Sequence, residues 1–553
     1  MNITYIDGSM LKKAFIGAAN LLEKNKEEVN SLNVFPVPDG DTGTNMYLTL
    51  KSAVNQVLKL DEQENNISRI ALAASNGSLM GARGNSGVIL SQLLRGFSNG
   101  VKGKEKLDAI AIAKAFRMAS DTAYKAVMKP TEGTILTVAR ECAEYALSIS
   151  NTEKDILIFM EKVLKHGNEV LNRTPEMLKV LKDAGVVDAG GKGLLFVLNG
   201  AYNAVANKGS IDIDEIKEEK RIEDVHKTSF SKELDTSDIK YGYCTEFMIN
   251  TNTEDCESFK NEISVFGDSL LVVGGEGLIK VHIHTNNPGL VLEKALSLGE
   301  LSDIKIDNMR YQHKHLLAKE EEIDEYEEDQ NEKVQKRYSI ISVSVGEGLD
   351  NIFKELNVDY IIPGGQTMNP STEDILNAIE KANGENIIIL PNNGNIILAA
   401  EQARELSDKN VFVLPTKTIP EGISSLIAFD PELEVDENIE NMKEAIENVI
   451  TGQVTYSVRD SEINNRKISK DDIIGISKGE VVSNGNDIEE VSFNLIKSII
   501  DEDSSLISIY YGNGIKEDEA ERLANLIRSE YEDFDVEVLY GGQPLYYYIF
   551  SVE

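Results

Sequence analysis

The chain has 553 residues, of which 56 are Lys or Arg and 93 are Asp or Glu, giving a formal net charge of −37. So acidic a balance argues against a nucleic-acid binder, because phosphate backbones are neutralised by basic side chains. It leaves room for a nucleotide site in which a metal ion and backbone amides supply the positive end. Three scattered cysteines, Cys142, Cys244 and Cys256, exclude a disulfide framework and point to a reduced intracellular protein.

The length implies roughly three or four domains. The opening residues carry neither a basic nor an apolar leader segment, and no later run approaches a membrane span, so a soluble, cytoplasmic protein is expected. Residues 1–206 read as almost entirely helical. Leu11, Phe15, Ala18 and Leu22 follow the 3.6-residue period, as do segments near 67–80, 87–98, 107–127, 134–148, 154–171 and 191–206.

The first interruption is the informative one. Asn33-Val-Phe-Pro-Val-Pro-Asp39-Gly-Asp41-Thr-Gly-Thr44-Asn45 brings two carboxylates to one turn ahead of a helix expected to begin at about Thr44 or Asn45. Paired carboxylates of this kind hold a hard dication such as Mg²⁺ when phosphate is the third party, and the free N–H groups of a helix start receive an anion. An Asp-Gly-Asp surface turn with an N-cap is the plain alternative. Three further Gly-rich loops follow: Gly84-Asn85-Ser86-Gly87, Gly133-Thr134, and Asn172-Arg173-Thr174 together with Asp183 to Gly193 around Asp188. Each alone reads equally as an ordinary helix end; together they make a polyphosphate cradle.

At these residues the chain resembles the nucleotide-binding L-type domain of dihydroxyacetone kinases, and over essentially its full length it resembles the ATP-binding subunit of bacterial fatty acid kinase. The resemblance implies a helical barrel whose loops hold ATP and Mg²⁺ at one end. It makes Asp39 and Asp41 the metal ligands and catalytic carboxylates. Asn33, Thr44, Asn45, Gly84, Asn85, Ser86, Gly87, Thr134 and Arg173 become nucleotide or phosphate contacts, and Asp188 flanks the nucleotide. It further implies a homodimer and a separate fatty-acid-binding carrier protein as partner. The chain departs from the dihydroxyacetone kinase pattern at Asn33, where an upstream aspartate is usual, at Thr42, where His is usual, and at Asp188-Ala-Gly, where Asp-Pro-Gly is usual.

Residues 207–237 read as a polar linker. A middle domain, 238–317, switches to strand signals at Tyr243 to Ile249, Ser269 to Val273 and Leu278 to His284, with helical stretches near 254–265 and 290–297, which implies a small α/β or ferredoxin-like sandwich. Val281-His282-Ile283-His284 puts both imidazoles on one strand face. With Cys244 they would suit Zn²⁺, or they are polar residues on a wet strand face beside a buried thiol. The resemblance favours the metal.

An acidic linker spans 318–337, and 338–553 repeats strand, Gly turn and helix, implying an α/β domain with a mostly parallel sheet and ligand loops at strand C-termini. Ser505 to Tyr511 with Gly512-Asn-Gly514, and Gly541-Gly-Gln543 against Gly364-Gly-Gln366, read as an internal echo. Exposed Thr367, Met368 and Asn369 beside Gly365 read first as a plain turn, with contact to the carrier, which the resemblance places on this domain, as the alternative.

No His or Lys stands in the N-terminal loops as a base. A fatty carboxylate, already ionised at neutral pH, needs none, whereas a hydroxyl acceptor wants one. No segment reads as an apolar pocket for an acyl tail. The readings in competition are an ATP-dependent fatty acid kinase component forming an acyl-phosphate, a dihydroxyacetone-type kinase, and a nucleotide-binding scaffold without turnover.

Overall fold

The computed structural model describes residues 3–33, 37, 40–61, 63–127, 129–206, 241, 243–251, 256–275, 278–308, 336–365, 368–463, 466–502 and 504–553. The chain divides into two compact units, Met1–Ile211 with Gln335–Glu553 in one and Asp212–Val334 in the other.

The first part of the larger unit is helical: α1 (Gly8–Asn30), α2 (Thr42–Leu58), α3 (Ile67–Met80), α4 (Gly84–Gly100), α5 (Ala109–Ala126), α6 (Ile135–Ile149), α7 (Ile156–Met177), the short α8 (Lys179–Ala184) and α9 (Ala189–Val205). Each long helix packs on the next and α9 returns onto α1, closing a ring around Leu22, Met46, Leu50, Ile67, Leu90 and Phe159, all fully buried. The closure depends on small residues. A Cβ on Gly200 would lie 2.3 Å from the Gly17 carbonyl oxygen, so only glycine lets the two backbones approach this far.

The up-and-down order gives the two rims different helix ends. At one rim α1, α3, α5 and α7 start at Asp7, Asn66, Asp108 and Asp155, and each of these side chains accepts a backbone N–H of its own first turn. At the other, the N-cap residues of α2, α4 and α6, namely Asp41, Arg83 and Thr134, make no such bond.

One expected loop is absent. Asn172, Arg173 and Thr174 are helical, because α7 runs on through Pro175. Proline lacks the N–H that the Leu171 carbonyl would receive; the Thr174 hydroxyl donates to that carbonyl instead, at 2.7 Å.

The smaller unit holds β1 (Tyr243–Asn250), β2 (Gly267–Gly275), β3 (Leu278–Thr285) and β4 (Glu300–Asn308) as an antiparallel sheet in the order β2-β3-β1-β4, with helices Cys256–Ile263 and Pro288–Leu296. This is the expected split βαβ arrangement. Phe247, Ile249, Val281 and Ile283 pack with Phe259, Ile263, Val291 and Ala295 to form its core.

The C-terminal part of the larger unit has two sheets. The first is wholly parallel, with β5 (Lys336–Ser344), β6 (Tyr360–Pro363), β7 (Gly384–Leu390) and β8 (Asn410–Val413) in the order β6-β5-β7-β8. Its two central strands, β5 and β7, are buried along most of their length, as central parallel strands are. On one face helices Thr372–Lys381 and Ile397–Leu406 share a core with Ala82 and Val88 of the helical ring.

The second sheet contains β9 (Ile450–Tyr456), then, beyond the hairpin β10 (Ser461–Ile463) and β11 (Arg466–Ile468), β12 (Ile473–Ser477), β13 (Glu480–Gly485), β14 (Leu506–Tyr511), β15 (Asp535–Tyr540) and β16 (Tyr548–Val552), ordered β13-β12-β9-β16-β14-β15. Its pairs are antiparallel except β14 with β15. The expected echo of the first sheet is therefore confined to one strand–helix–strand crossover, since any such crossover reads alike in sequence.

Candidate nucleotide and metal site

At the second rim of the helical ring lies a cleft of about 370 Å³. Of the residues expected there, Asn33, Asp41, Asn45, Asn85, Ser86, Thr134 and Asp188 line it, with Thr42 and Gly40. Leu32, Val37, Ile89, Ile135 and Leu181 give it an apolar side. Loops separated by some hundred and fifty positions in sequence thus meet at one end of the ring.

Asp41 occupies the position before α2, which begins at Thr42, earlier than the sequence indicates. The usual capping role falls to Asn30 at the end of α1, whose Oδ1 accepts from the N–H groups of Gly43 (2.8 Å) and Thr44 (3.2 Å). The Thr44 hydroxyl is turned to the same residue, at 3.1 Å from Asn30 Nδ2. With the cap supplied from elsewhere, the Asp41 carboxylate is directed out of the helix: its Oδ2 accepts from Asn369 Nδ2 at 2.6 Å. Thr42 Oγ1 donates to Asn33 Oδ1 at 2.6 Å, tying the approach to the turn.

Gly84 and Gly87 act through the backbone. Gly84 has φ +57°, and a Cβ there would stand 2.4 Å from the Asn45 amide nitrogen. Glycine at this point lets α4 start against α2 with Asn85 and Ser86 in the cleft.

Thr134 precedes α6 and turns its hydroxyl back to the Thr131 carbonyl at 2.7 Å. The loop before it is fixed by Glu132, which receives Arg140 at 2.9 and 3.1 Å and the Thr137 hydroxyl at 2.8 Å. Asp188 caps α9, accepting from Gly191 N–H at 2.7 Å and also from the Ile135 N–H, so one carboxylate joins two helix starts. Burial pushes it up to about 6, the two backbone donors partly opposing that shift. Its own N–H is held by Thr174 Oγ1 at 3.1 Å.

Of the expected contacts, Thr44, Gly84, Gly87 and Arg173 do not line the cleft. Arg173 is exposed on α7, because Thr174 keeps that segment helical. Asp39 lies outside the described residues.

Asn369 and Asn395, from the first parallel sheet's loops, are additions that the sequence does not announce. Asn369 is 1% exposed, where sequence reading puts it in an exposed turn; Met368 beside it is exposed, and Thr367 lies outside the described residues. Asn395 lines the cleft, and its Oδ1 is 3.3 Å from Asn85 Nδ2. Asn369 is marked in sequence only as part of an exposed turn and Asn395 not at all, since their place at the cleft comes from contacts some three hundred positions away.

The residues suit a hard dication. Among the buried polar atoms without a partner are Asn369 Oδ1 and Asn85 Oδ1, and the first belongs to the residue that holds Asp41. Carbonyl and carboxylate oxygens are the donors such an ion takes. Asn33 Nδ2 is likewise buried and unpaired, a donor for an anionic oxygen. Among the described residues no group of three His, Cys, Asp or Glu is placed to hold a metal.

Inside the ring a second cavity, about 160 Å³, is walled by apolar side chains including Phe15, Leu93, Phe97, Phe116 and Leu194. Sequence reading gives no such pocket, because its lining is spread over several helices. Cys142 borders it, and burial raises that thiol to about 12, which keeps it protonated.

In the middle unit Cys244 stands opposite His284 in the β1–β3 register, and Glu246 opposite His282. The side chains of Cys244 and His282 lie outside the described residues. No described helix is long and apolar enough to cross a membrane.

Comparison with known proteins covers the whole length. Family models match for the DAK2 domain at 36–203, for the FakA-like middle domain of fatty acid kinase at 240–316, and for the FakA-like C-terminal domain of fatty acid kinase at 339–553. Protein YloV of Bacillus subtilis is 43% identical over 563 residues, covering 100% of both chains. An uncharacterized protein of Staphylococcus aureus is 42% identical over 560 residues, again covering 100% of both. Solved structures include a DegV family protein from Corynebacterium glutamicum (13% identity, 39% of this chain and 96% of that one, TM-score 0.32). Another is the dihydroxyacetone kinase from C. freundii in complex with AMP-PNP and Mg²⁺ (14% identity, 40% of this chain and 49% of that one, TM-score 0.30).

Proposed function

Since this chain belongs to the FakA-like family of fatty acid kinase proteins, we propose that it phosphorylates the carboxylate of a fatty acid presented by a separate acyl-binding protein, using Mg²⁺ and ATP held in the rim cleft. The observation that carries the reading is the convergence of Asp41 with the starts of α2, α4, α6 and α9 on one cleft. Phosphoryl transfer asks a protein for positioning and charge neutralisation more than for covalent chemistry.

Asp41, with Asp39 as its expected companion, would hold Mg²⁺, which when bound offsets phosphate charge. The N–H groups that begin α4, which carry no side-chain cap, are placed to receive phosphate oxygens, whereas the first N–H of α6 is held by Asp188. Asn33 and Ser86 add polar side-chain contacts, and Ile89, Ile135 and Leu181 offer an apolar wall to the base.

The composition of the described lining is compatible with a carboxylate acceptor. Among the described residues of the cleft there is no His, Lys or Arg, and the Asp188 carboxylate is engaged by two backbone donors. A carboxylate acceptor arrives ionised and requires no base, and its attack on the γ-phosphorus yields an acyl-phosphate and ADP.

With ATP, Mg²⁺, oleate and an acyl-binding carrier, the purified chain is expected to release ADP and form acyl-phosphate, and Asp41→Ala to abolish both while circular dichroism stays native. Turnover with dihydroxyacetone in place of oleate, or full activity in Asp41→Ala, would count against the proposal.

For the middle unit we propose Zn²⁺ on Cys244, His282 and His284, supported by the facing positions of Cys244 and His284 in the sheet. Elemental analysis of Cys244→Ser is expected to show loss of zinc; unchanged content removes Cys244 from the set.

A further inference from the structure

The turn that carries Asp41 is gripped from the C-terminal domain at separate points. Asn369 donates to Asp41 Oδ2 at 2.6 Å. Its amide nitrogen also lies within 3.2 Å of where a Cβ on Gly84 would stand, so the side chain is wedged between the starts of α2 and α4. It is held there from behind. Arg83 Nη1 donates to the Asn369 carbonyl at 2.7 Å and Nη2 is 3.4 Å from Asp374 Oδ2; the Thr372 N–H donates to the Ala82 carbonyl at 3.1 Å.

On the other side of the turn, the Arg459 guanidinium donates to the Ser31 carbonyl and, at 2.5 Å, to that of Asn33. Val37 packs against Ile468, Ile474 and Val481 of the second sheet region. A chain segment that only had to cap α2 would need none of this, because Asn30 already does so.

We propose that Asn369 is a positioning residue for the metal-holding carboxylate Asp41, and that the C-terminal domain thereby completes the nucleotide site in cis. The inference rests on Asp41 being a metal carboxylate, as read above. A carboxylate that binds a dication through one oxygen is oriented by a hydrogen bond to the other, and loss of such a partner typically weakens metal affinity by about 10- to 100-fold. The Asn369 Oδ1 is buried without a partner, an acceptor left over at the cost of its desolvation, as an oxygen reserved for a ligand would be. Arg459 adds the second anchor: its guanidinium, whose pKa burial lowers, is held by the Ser31 and Asn33 carbonyls.

The test is calorimetric titration of the full chain with the β,γ-imido analogue of ATP over a range of Mg²⁺ concentrations. Asn369→Ala and the near-isosteric Asn369→Leu, which keeps the volume and removes the donor, are expected to require about 10-fold more Mg²⁺ or more for half-maximal analogue binding, with native circular dichroism. Arg459→Ala is expected to shift the requirement in the same direction, and Arg459→Lys to restore part of it. Asp41→Ala serves as the reference and should lose Mg²⁺-dependent binding. If the Asn369 variants match the parent chain while Asp41→Ala loses binding, the positioning role is wrong and the kinase reading stands. If Asp41→Ala also matches the parent, both fall. Failure of every Asn369 variant to fold would show a purely structural residue and overturn the inference as well.

Discussion

Asn30 and Asp188 divide the work of capping at the cleft so that Asp41 is spared it. Asn30 serves α2 from outside, and Asp188 serves α9 while receiving the first N–H of α6. The second arrangement has a pH signature. In the folded chain the Asp188 carboxyl sits at about 6 against an ordinary 3.8, so folding favours its protonated form. The sign follows from linkage: the associated stabilisation is complete below the unfolded pKa and is lost as pH rises through the folded one. Asp188→Asn keeps an acceptor oxygen and has no charge to bury. The unfolding temperature of the parent relative to Asp188→Asn is therefore expected to fall between about pH 4 and about pH 7.5; a difference that stays constant over that range would contradict the assignment.

At the level of elements, the helical ring is readable because each long helix carries an apolar stripe of period 3.6, and the middle domain because its strands and helices alternate at split βαβ spacing. Boundaries fail where one side chain substitutes for another. α2 starts two residues early because its cap comes from Asn30, and α7 continues past the expected break because Thr174 replaces the donor that Pro175 lacks. Arg173 is misplaced for that reason alone. Within the cleft, Asp41, Asn45, Asn85, Ser86, Thr134 and Asp188 can be picked out from Gly-rich turns beside polar residues at helix starts. Asn369, Asn395 and Arg459 cannot. Their loops carry no motif, and what gives them a role is the docking of one domain's strand ends on another's helix ends. In the same way the β14–β15 crossover resembles a repeat of the first sheet because sequence records order along the chain and not the direction of neighbouring strands.

Taken as a whole molecule, the alternation of helix direction around the ring has a kinetic consequence. Antiparallel neighbours cancel one another's dipoles at a distance, so the uncapped start of α4 attracts an anion only within about the first turn. Farther out, an approaching nucleotide meets the field of a chain with net charge −37. Encounter is then opposed where electrostatically steered pairs are helped, and mobile ions that screen the opposition should quicken it. Stopped-flow measurement of nucleotide association at fixed Mg²⁺ is expected to show a rate that climbs with potassium chloride; a rate that drops as ionic strength increases would point to a basic entry path that the described surface of the cleft does not have.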